Sequence, residues 1–418
     1  MNKIQMVNPL VEIDGDEMAR VMWAWVKESL ILPYVDLKTE YYDLSVKHRD
    51  ETEDKVTFDA AKAIKRLKVG VKCATITPNA ERVIEYGLRR EWPSPNATIR
   101  KVLDGTIFRS PISLTNVRPA VRFWKKPIVV ARHAFGDIYD GIGAEFEGNG
   151  KWSLIFKGEG GKEMIMDLPY LKGPGVVEVK YNLERSIRSF AEACFQYSLA
   201  NGMDLWFSAK DTISKVYDAK FKEVFASLYE EKYQDEFERR GLTYNYYLID
   251  DAMARAVRSE GGFVWACKNY EGDILSDMVS AAYSGSIALM TSELFSPDGC
   301  YEAEAAHGTV QKHYYQYLKG IRTSTNPTAT VFAWARALKK RGEIDANSEL
   351  VAFAGALERA VIKTIEEDGV VTKDVAAVSE QPVAAVVGTQ DFLAAVKRNL
   401  DGLLAKTGQS GTSSRNRL

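Results

Sequence analysis

Apolar residues along the first hundred positions switch between two rhythms. Residues 7–13 and 38–42 read as strands, and 69–77 is a continuous apolar run suited to a strand buried on both faces. Between them, Val21, Met22, Trp25, Val26 and Leu30 share one face of a helix predicted over 16–30, and a second helix is predicted over 58–67. Such alternation predicts an α/β fold with a largely parallel sheet. The pattern resumes further on, with a helix over 183–200, strands over 205–208, 244–249 and 263–267, and helices over 252–259 and 272–290. The remainder reads as mainly helical, over 327–340, 350–367 and 390–405, ending in a loose polar tail at 408–417.

Residues 141–179 break the rhythm. Glycines recur from Gly141 to Gly175, and short alternating segments at 152–156 and 164–168 lie between them. This predicts a small antiparallel insertion of hairpins. Two or three strands are marginal alone, so the insertion is expected to pair with a second copy of the chain.

At 418 residues the chain exceeds what one core holds, roughly 250–300 residues, so two or more lobes are expected. A hydrophobic content of 46% and a charged content of 27% are those of a globular protein. The net charge of -2 supplies no basic field for nucleic acid. No apolar run approaches the length of a membrane span, and residues 1–10 hold no signal-length apolar run. Cys73, Cys194, Cys267 and Cys300 are scattered, which reads as free thiols in a reducing compartment and points to the cytoplasm. The final Asn416-Arg417-Leu418 loosely resembles the peroxisomal S-K-L address, but Asn replaces the small first residue and a frayed polar tail is the favoured reading.

The candidate chemistry is acidic, basic and nucleotide-directed. His48, His133, His307 and His313 form no zinc spacing, and neither G-x-G-x-x-G nor a P-loop occurs. Asp273 and Asp277, four apart on one helical face, and Asp250 beside Asp251 offer hard oxygen ligands for Mg²⁺ or Mn²⁺. On spacing alone such acids more often decorate a helix N-terminus. Arg100, Arg109 and Arg132, with Ser94 and Asn96 nearby, can converge on a polyanion; Arg132 ends an apolar strand, where α/β proteins place ligands. Backbone N–H groups after the strand 302–306 can face an anion, with Lys312 and His313 to neutralise it. Asn326-Pro327 has the form of a helix start capped by Asn326. Tyr139 and Lys210 are a candidate acid/base pair, each unremarkable by itself.

Together these residues resemble the eukaryotic-type, homodimeric NADP-dependent isocitrate dehydrogenases, members of the β-decarboxylating dehydrogenase superfamily. The resemblance runs from residue 12 to about 374, and its most specific stretches are 70–78, 261–270 and 302–310. It implies oxidative decarboxylation of isocitrate to 2-oxoglutarate with NADP and Mg²⁺ or Mn²⁺. It implies substrate contacts at Thr77, Ser94, Asn96, Arg100, Arg109 and Arg132, and acid/base roles for Tyr139 and Lys210. Metal ligands carry over to Asp273 and Asp277, with Asp250 supplied by the second subunit; Lys210 likewise resembles a residue that reaches the neighbouring site. Cofactor contacts fall on Thr75, Ile76, Thr77, Arg82, Arg258, Gly308, Thr309, Val310, Gln311, Lys312, His313 and Asn326.

The implied fold is a large domain (1–103 and 284–418), a small domain (104–136 and 184–283) and a clasp (137–183), in the isocitrate/isopropylmalate dehydrogenase-like arrangement rather than a standard Rossmann fold. The chain departs from the family at Gln311-Lys312, commonly Thr-Arg, and at Arg258, commonly Lys. Both basic changes keep the charge that a 2′-phosphate needs, although lysine replaces a planar fork with a point charge. An acidic residue at Lys312 would argue for NAD instead. The rival readings are a related enzyme for isopropylmalate, homoisocitrate or tartrate, a non-catalytic sensor on the same scaffold, and, more distantly, a metal-dependent phosphatase.

Overall fold

The computed structural model describes residues 3–413, with side chains through residue 406. Its spine is one ten-stranded mixed sheet. The strands are β1 (Leu10–Asp14), β2 (Thr39–Asp43), β3 (Val69–Lys72), β4 (Thr106–Pro111) and β5 (Val129–His133), then, beyond the insertion, β10 (Asp204–Ala209), β11 (Tyr244–Leu248), β12 (Phe263–Cys267), β13 (Met290–Phe295) and β14 (Tyr301–Ala305). The order across the sheet is β11-β10-β12-β5-β4-β13-β14-β3-β1-β2. Both flanks are parallel, as alternation predicts. The centre differs: β5–β4, β4–β13 and β13–β14 are antiparallel.

The helices are α1 (Glu17–Val26), α2 (Lys55–Leu67), α3 (Ala80–Tyr86), α4 (Pro95–Leu103), α5 (Glu184–Asn201), α6 (Tyr217–Leu228), α7 (Ile249–Arg258), α8 (Asn269–Ser284), α9 (Gln311–Leu318), α10 (Thr328–Ile344), α11 (Ser348–Glu366) and α12 (Thr389–Ser413). They cover the sheet with separate cores. One gathers Leu10, Trp23, Val71, Trp334, Leu357 and Val396; another gathers Phe108, Phe190, Phe207, Phe225 and Val264. Two packed centres on one sheet match a chain too long for a single core.

The insertion forms two antiparallel ladders. β6 (Ile142–Phe146) pairs with β9 (Gly175–Val179), and β7 (Ser153–Lys157) pairs with β8 (Glu163–Asp167). Their side chains are largely exposed, Phe156 and Ile165 among them.

Several expectations shift. The apolar run 69–77 is strand only to Lys72; residues 73–79 leave the sheet as a loop. The helix expected to reach residue 290 stops at Gly285, whose φ of +72° is the left-handed end that glycine permits. The tail expected to be loose from residue 408 continues α12 as far as Ser413. The Asn416-Arg417-Leu418 address lies outside the described residues. All four cysteines are buried free thiols, and no described helix is long and apolar enough to cross a membrane.

Candidate functional site

The C-terminal end of β5 delivers Arg132, and the antiparallel neighbour β4 delivers Arg109. Both point at the first turns of α8. Arg132 Nε donates to Asn269 Oδ1 at 2.8 Å, and its Nη1 donates to Asp273. Arg109 Nη1 reaches Ser276 Oγ at 2.8 Å, Asp273 at 3.3 Å and Asp277 at 3.4 Å. Tyr139 closes the group: its hydroxyl donates to Asp273 Oδ2 at 2.7 Å and its ring lies 4.7 Å from the Arg132 guanidinium. Arg100, on α4, enters from the other side and is held by Glu304 Oε1 at 2.8 Å. The α4 start is set by Pro95 and by Ser94, whose Oγ accepts Ala97 N–H at 3.4 Å. Ser94 is thus a helix cap as well as a candidate ligand.

The charges of this cluster are paired internally, Arg132 and Arg109 with Asp273 and Arg100 with Glu304. Burial, then Arg100 and Arg109, lower the proton affinity of Arg132. Burial raises the Asp273 carboxyl, but Arg132, Arg109 and the Tyr139 hydroxyl together hold it below its ordinary value, while burial lifts Asp277. Burial also pushes the Tyr139 phenol up to about 12. Two buried atoms lack partners, Asn96 Oδ1 and Arg109 Nε, an acceptor and a donor that a polar ligand would satisfy. The gap lined by Arg100, Arg132 and Tyr139 is about 40 Å³, room for a few waters.

Asp273 and Asp277 also present hard carboxylate oxygens from successive turns of α8, the donor chemistry that suits Mg²⁺ or Mn²⁺. Among the described residues no group of three His, Cys, Asp or Glu side chains is arranged to hold a metal, so one chain offers part of a ligand set. Asp250 is not in this cluster. It starts α7, where Lys210 Nζ lies 2.5 Å from its carboxylate and holds it below its ordinary pKa. Arg258, at the other end of α7, is exposed and donates to Ala254 O at 3.0 Å. None of these three has a recorded contact with the arginine cluster or with the other predicted cofactor residues of the same chain.

Those cofactor residues do come together. The loop after β3 holds Thr75, Ile76 and Thr77. Thr75 Oγ1 accepts Lys72 Nζ at 3.2 Å, Ile76 N–H donates to Asp16 at 2.8 Å, and Thr77 is exposed. Arg82 on α3 donates to Glu17 at 2.8 Å, and Thr309 donates to the same carboxylate. Gly308 is exposed, and Val310 takes φ +56° where the chain turns into α9. Gln311 Nε2 lies 2.9 Å from Tyr315 OH, Lys312 is exposed, and His313 Nδ1 is 2.8 Å from Thr325 Oγ1. A cavity of about 450 Å³ opens between α9 and the start of α10, lined by His307, Val310, His313, Arg322, Asn326, Lys373 and Asp374. Asn326 does not occupy the cap position itself: Pro327 does, with Asn326 Oδ1 accepting Thr328 N–H at 3.0 Å and Nδ2 donating to Asp374 at 2.9 Å.

Sequence reasoning passed over residues that this geometry brings forward. Asn269 and Ser276 orient the two arginines; Asp16 and Glu17 hold the cofactor loops; Arg322 and Lys373 add positive charge to the cavity. Beneath the arginines, Lys72, Glu302 and Glu304 form a buried layer. Burial and the neighbouring Glu304 raise Glu302 above the ordinary carboxylate range; burial also opposes the charge of Glu304, but Arg100 and Lys72 overcome it. The visible signal was Glu302 and Glu304 recurring in an otherwise apolar strand. A roomier cavity of about 880 Å³, between α5 and α10, contains none of the predicted residues.

Comparison with known proteins identifies the family. The family model described as isocitrate/isopropylmalate dehydrogenase matches residues 5–396. A Sphingobium yanoikuyae protein named isocitrate dehydrogenase [NADP] is 49% identical over 407 residues, 97% of this chain and 100% of the relative. Isocitrate dehydrogenase [NADP] 1 of Mycobacterium tuberculosis is 49% identical over 406 residues, covering 96% of this chain and 98% of the relative. A Candida tropicalis relative named as peroxisomal is 45% identical over 405 residues, 96% of this chain and 98% of its own length. With a match that spans almost every element of the sheet and both residue clusters, the chain belongs to the isocitrate/isopropylmalate dehydrogenase family.

Proposed function

We propose that this protein is an NADP-dependent isocitrate dehydrogenase, which oxidises isocitrate and releases CO₂ to give 2-oxoglutarate and NADPH. The observation that carries the reading is the convergence of Arg109, Arg132 and Tyr139 on one carboxylate, with Arg100 alongside. Guanidinium forks bind carboxylates with directional charge-assisted bonds. A tricarboxylate offers carboxylates that can exchange with the internal acids now paired to the three buried arginines. Asn96 and Ser94, polar side chains at the start of α4, can donate Nδ2–H and Oγ–H to a carboxylate third arm, where isopropylmalate would present an apolar one.

The residues divide the work. Arg100, Arg109 and Arg132 bind and orient the substrate carboxylates. Tyr139, whose phenol burial raises further above neutral pH, would donate its proton to C3 after CO₂ leaves. Lys210, with a nearby aspartate, would help remove the proton of the C2 hydroxyl from across a subunit boundary. Asp273 and Asp277, with Asp250 of a second copy, would hold Mg²⁺ or Mn²⁺. A divalent cation in that position polarises the hydroxyl and stabilises the charge that develops during decarboxylation. The loops at Thr75–Thr77 and Gly308–His313, with Arg82 and Asn326, would seat NADP.

A homodimer follows from the same reading. Tyr270, Ile274 and Met278 make an exposed apolar stripe along α8 beside Asp273 and Asp277, and Met253 and Val257 are exposed on α7 near Asp250 and Arg258. Apolar stripes of this kind mark contact surfaces. A partner against them would bring Asp250, Lys210 and Arg258 to the neighbouring site and would also cover the exposed clasp at 137–183. The two cores support the division into a large domain (1–103 and 284–418) and a small one (104–136 and 184–283).

The test is an initial-rate comparison. NADPH formation is followed with isocitrate and either NADP or NAD, with and without EDTA, and with isopropylmalate, homoisocitrate and tartrate in parallel. Turnover with isocitrate and NADP that EDTA abolishes and Mn²⁺ restores is expected. Faster turnover of another acid, or none with isocitrate, would overturn the reading.

A further inference from the structure

The cofactor-loop contacts share an unassigned centre. Glu17 opens α1 with its side chain almost fully buried, 1% exposed, and its backbone at φ +53°. An L-residue with a side chain rarely adopts that conformation, and such strain concentrates at functional sites. Its carboxylate gathers donors from two segments far apart in the chain. On one side are Arg82 Nη1 at 2.8 Å and Tyr86 OH at 2.9 Å, both from α3; on the other is the hydroxyl of Thr309. Backbone reinforces the second link, with Ala19 N–H donating to Thr309 O at 3.2 Å.

Helix α3 is tied to the chain around α9 by this anchor and by Tyr315, whose hydroxyl donates to Glu85 at the surface. None of its residues is fully buried, and Ile84 is 83% exposed. Only Val83 and Tyr86 lean on a small cluster of Val46, Ile76 and Leu88. The ion pair to Glu17 is therefore its best shielded polar tie, since the other acid on Arg82, Glu85, sits at the surface.

We infer that Glu17 is a positioning residue for the cofactor, a single buried carboxylate that ties Arg82 and Thr309 together so that both loops present one preformed surface to NADP. This rests on the reading above that Arg82 and Thr309 touch the cofactor. Glu17 itself does not; it faces away, into their side chains.

The test is equilibrium binding of NADPH to the full chain, read by nicotinamide fluorescence without isocitrate. Glu17→Ala should raise the dissociation constant about tenfold, the equivalent of one hydrogen bond to a charged group. Glu17→Gln keeps an acceptor oxygen for Arg82 and an amide for Thr309, so the rise should stay within about threefold. Turnover at saturating NADP should hold within about twofold in both, since uniform binding is lost rather than transition-state contact. A folded Glu17→Ala chain that binds NADPH as tightly as wild type overturns the inference. Should that chain not fold, Tyr86→Phe, which removes one donor and leaves the ion pair, takes its place; about threefold weaker binding supports the inference and unchanged binding overturns it. Wild-type protein that does not bind NADPH defeats the cofactor reading itself, a separate result.

Discussion

Replacing Gly272 with alanine adds one methyl group where the first turn of α8 passes the stem of Arg132. A Cβ at Gly272 would meet Arg132 Cβ at 2.8 Å, Cγ at 2.9 Å and Cα at 3.1 Å, where ordinary contact begins near 3.4 Å. Strand β5 is hydrogen-bonded on both sides and buried, so the shortfall, about half an ångström, must be taken up by the Arg132 side chain or by the turn that carries Asp273. Two effects on stability oppose each other. Alanine favours a helix over glycine by about 1 kcal/mol, and overpacking costs about 1–3 kcal/mol. The net change is between about zero and 2 kcal/mol, and the protein stays folded. The effect on catalysis is not offset. A misplacement of about 1 Å can cost a factor on the order of 100, so half of that should lower kcat/KM for isocitrate about tenfold. The assay is steady-state NADPH formation with Mn²⁺, and NADPH binding serves as the control because the cofactor loops are untouched. A variant whose kcat/KM stays within about twofold of wild type would refute the claim that Arg132 is held to its fork geometry by this packing.

Three further outcomes are expected. Arg132→His removes the bonds to Asn269 and Asp273 and should raise the isocitrate KM while lowering turnover; unchanged kinetics would contradict the carboxylate clamp. Burial keeps His133 neutral and pushes its pKa down to about 3, against about 6.5 in an unfolded chain. The unfolded chain therefore takes up the proton first, so the stability conferred by the neutral ring is full above about pH 6.5 and is lost at up to roughly 1.4 kcal/mol per pH unit below it. His133→Gln should flatten that part of the stability curve, and an equal slope in variant and wild type would show that the ring does not contribute. Finally, Asp250→Asn and Asp273→Asn chains should each be nearly inactive, yet refolding them together should recover about a quarter of wild-type activity through mixed dimers with one intact site. Activity equal to the mean of the two parents would rule out a shared site.

Residues buried on both faces were the most legible. β12 occupies the apolar run 263–267 that the pattern marks, because a strand covered on both sides has no polar positions to blur it. Two of the antiparallel pairings in the middle of the sheet, β5–β4 and β4–β13, were not legible, since long connections rather than local composition set their direction; the third, β13–β14, is a hairpin whose Pro297-Asp298-Gly299 turn signal was passed over. Gly285 did carry a signal, a glycine near the end of a helical pattern, and the longer helix disregarded it. At the candidate site the long charged side chains were readable by type and their convergence came from the family resemblance. Glu17 was hidden for a different reason. Acids at the start of a helix are commonplace, and neither a positive φ nor three donors from distant segments leaves a trace in local periodicity.

The position of Asp273 has a thermodynamic consequence. Because this acid already neutralises Arg132 and Arg109, an incoming organic anion exchanges with an internal one rather than filling a vacant positive pocket. Stray phosphate or chloride gains little by competing, which protects the arginines from the salts of the cell. The displaced carboxylate is then left without its counter-charge, next to Asp277. Asp273 and Asp277 would then hold a divalent ion, which would offset two negative charges at once. Substrate and cation therefore strengthen each other's binding by one common factor, as linkage requires, and titrating either in the presence of the other measures it.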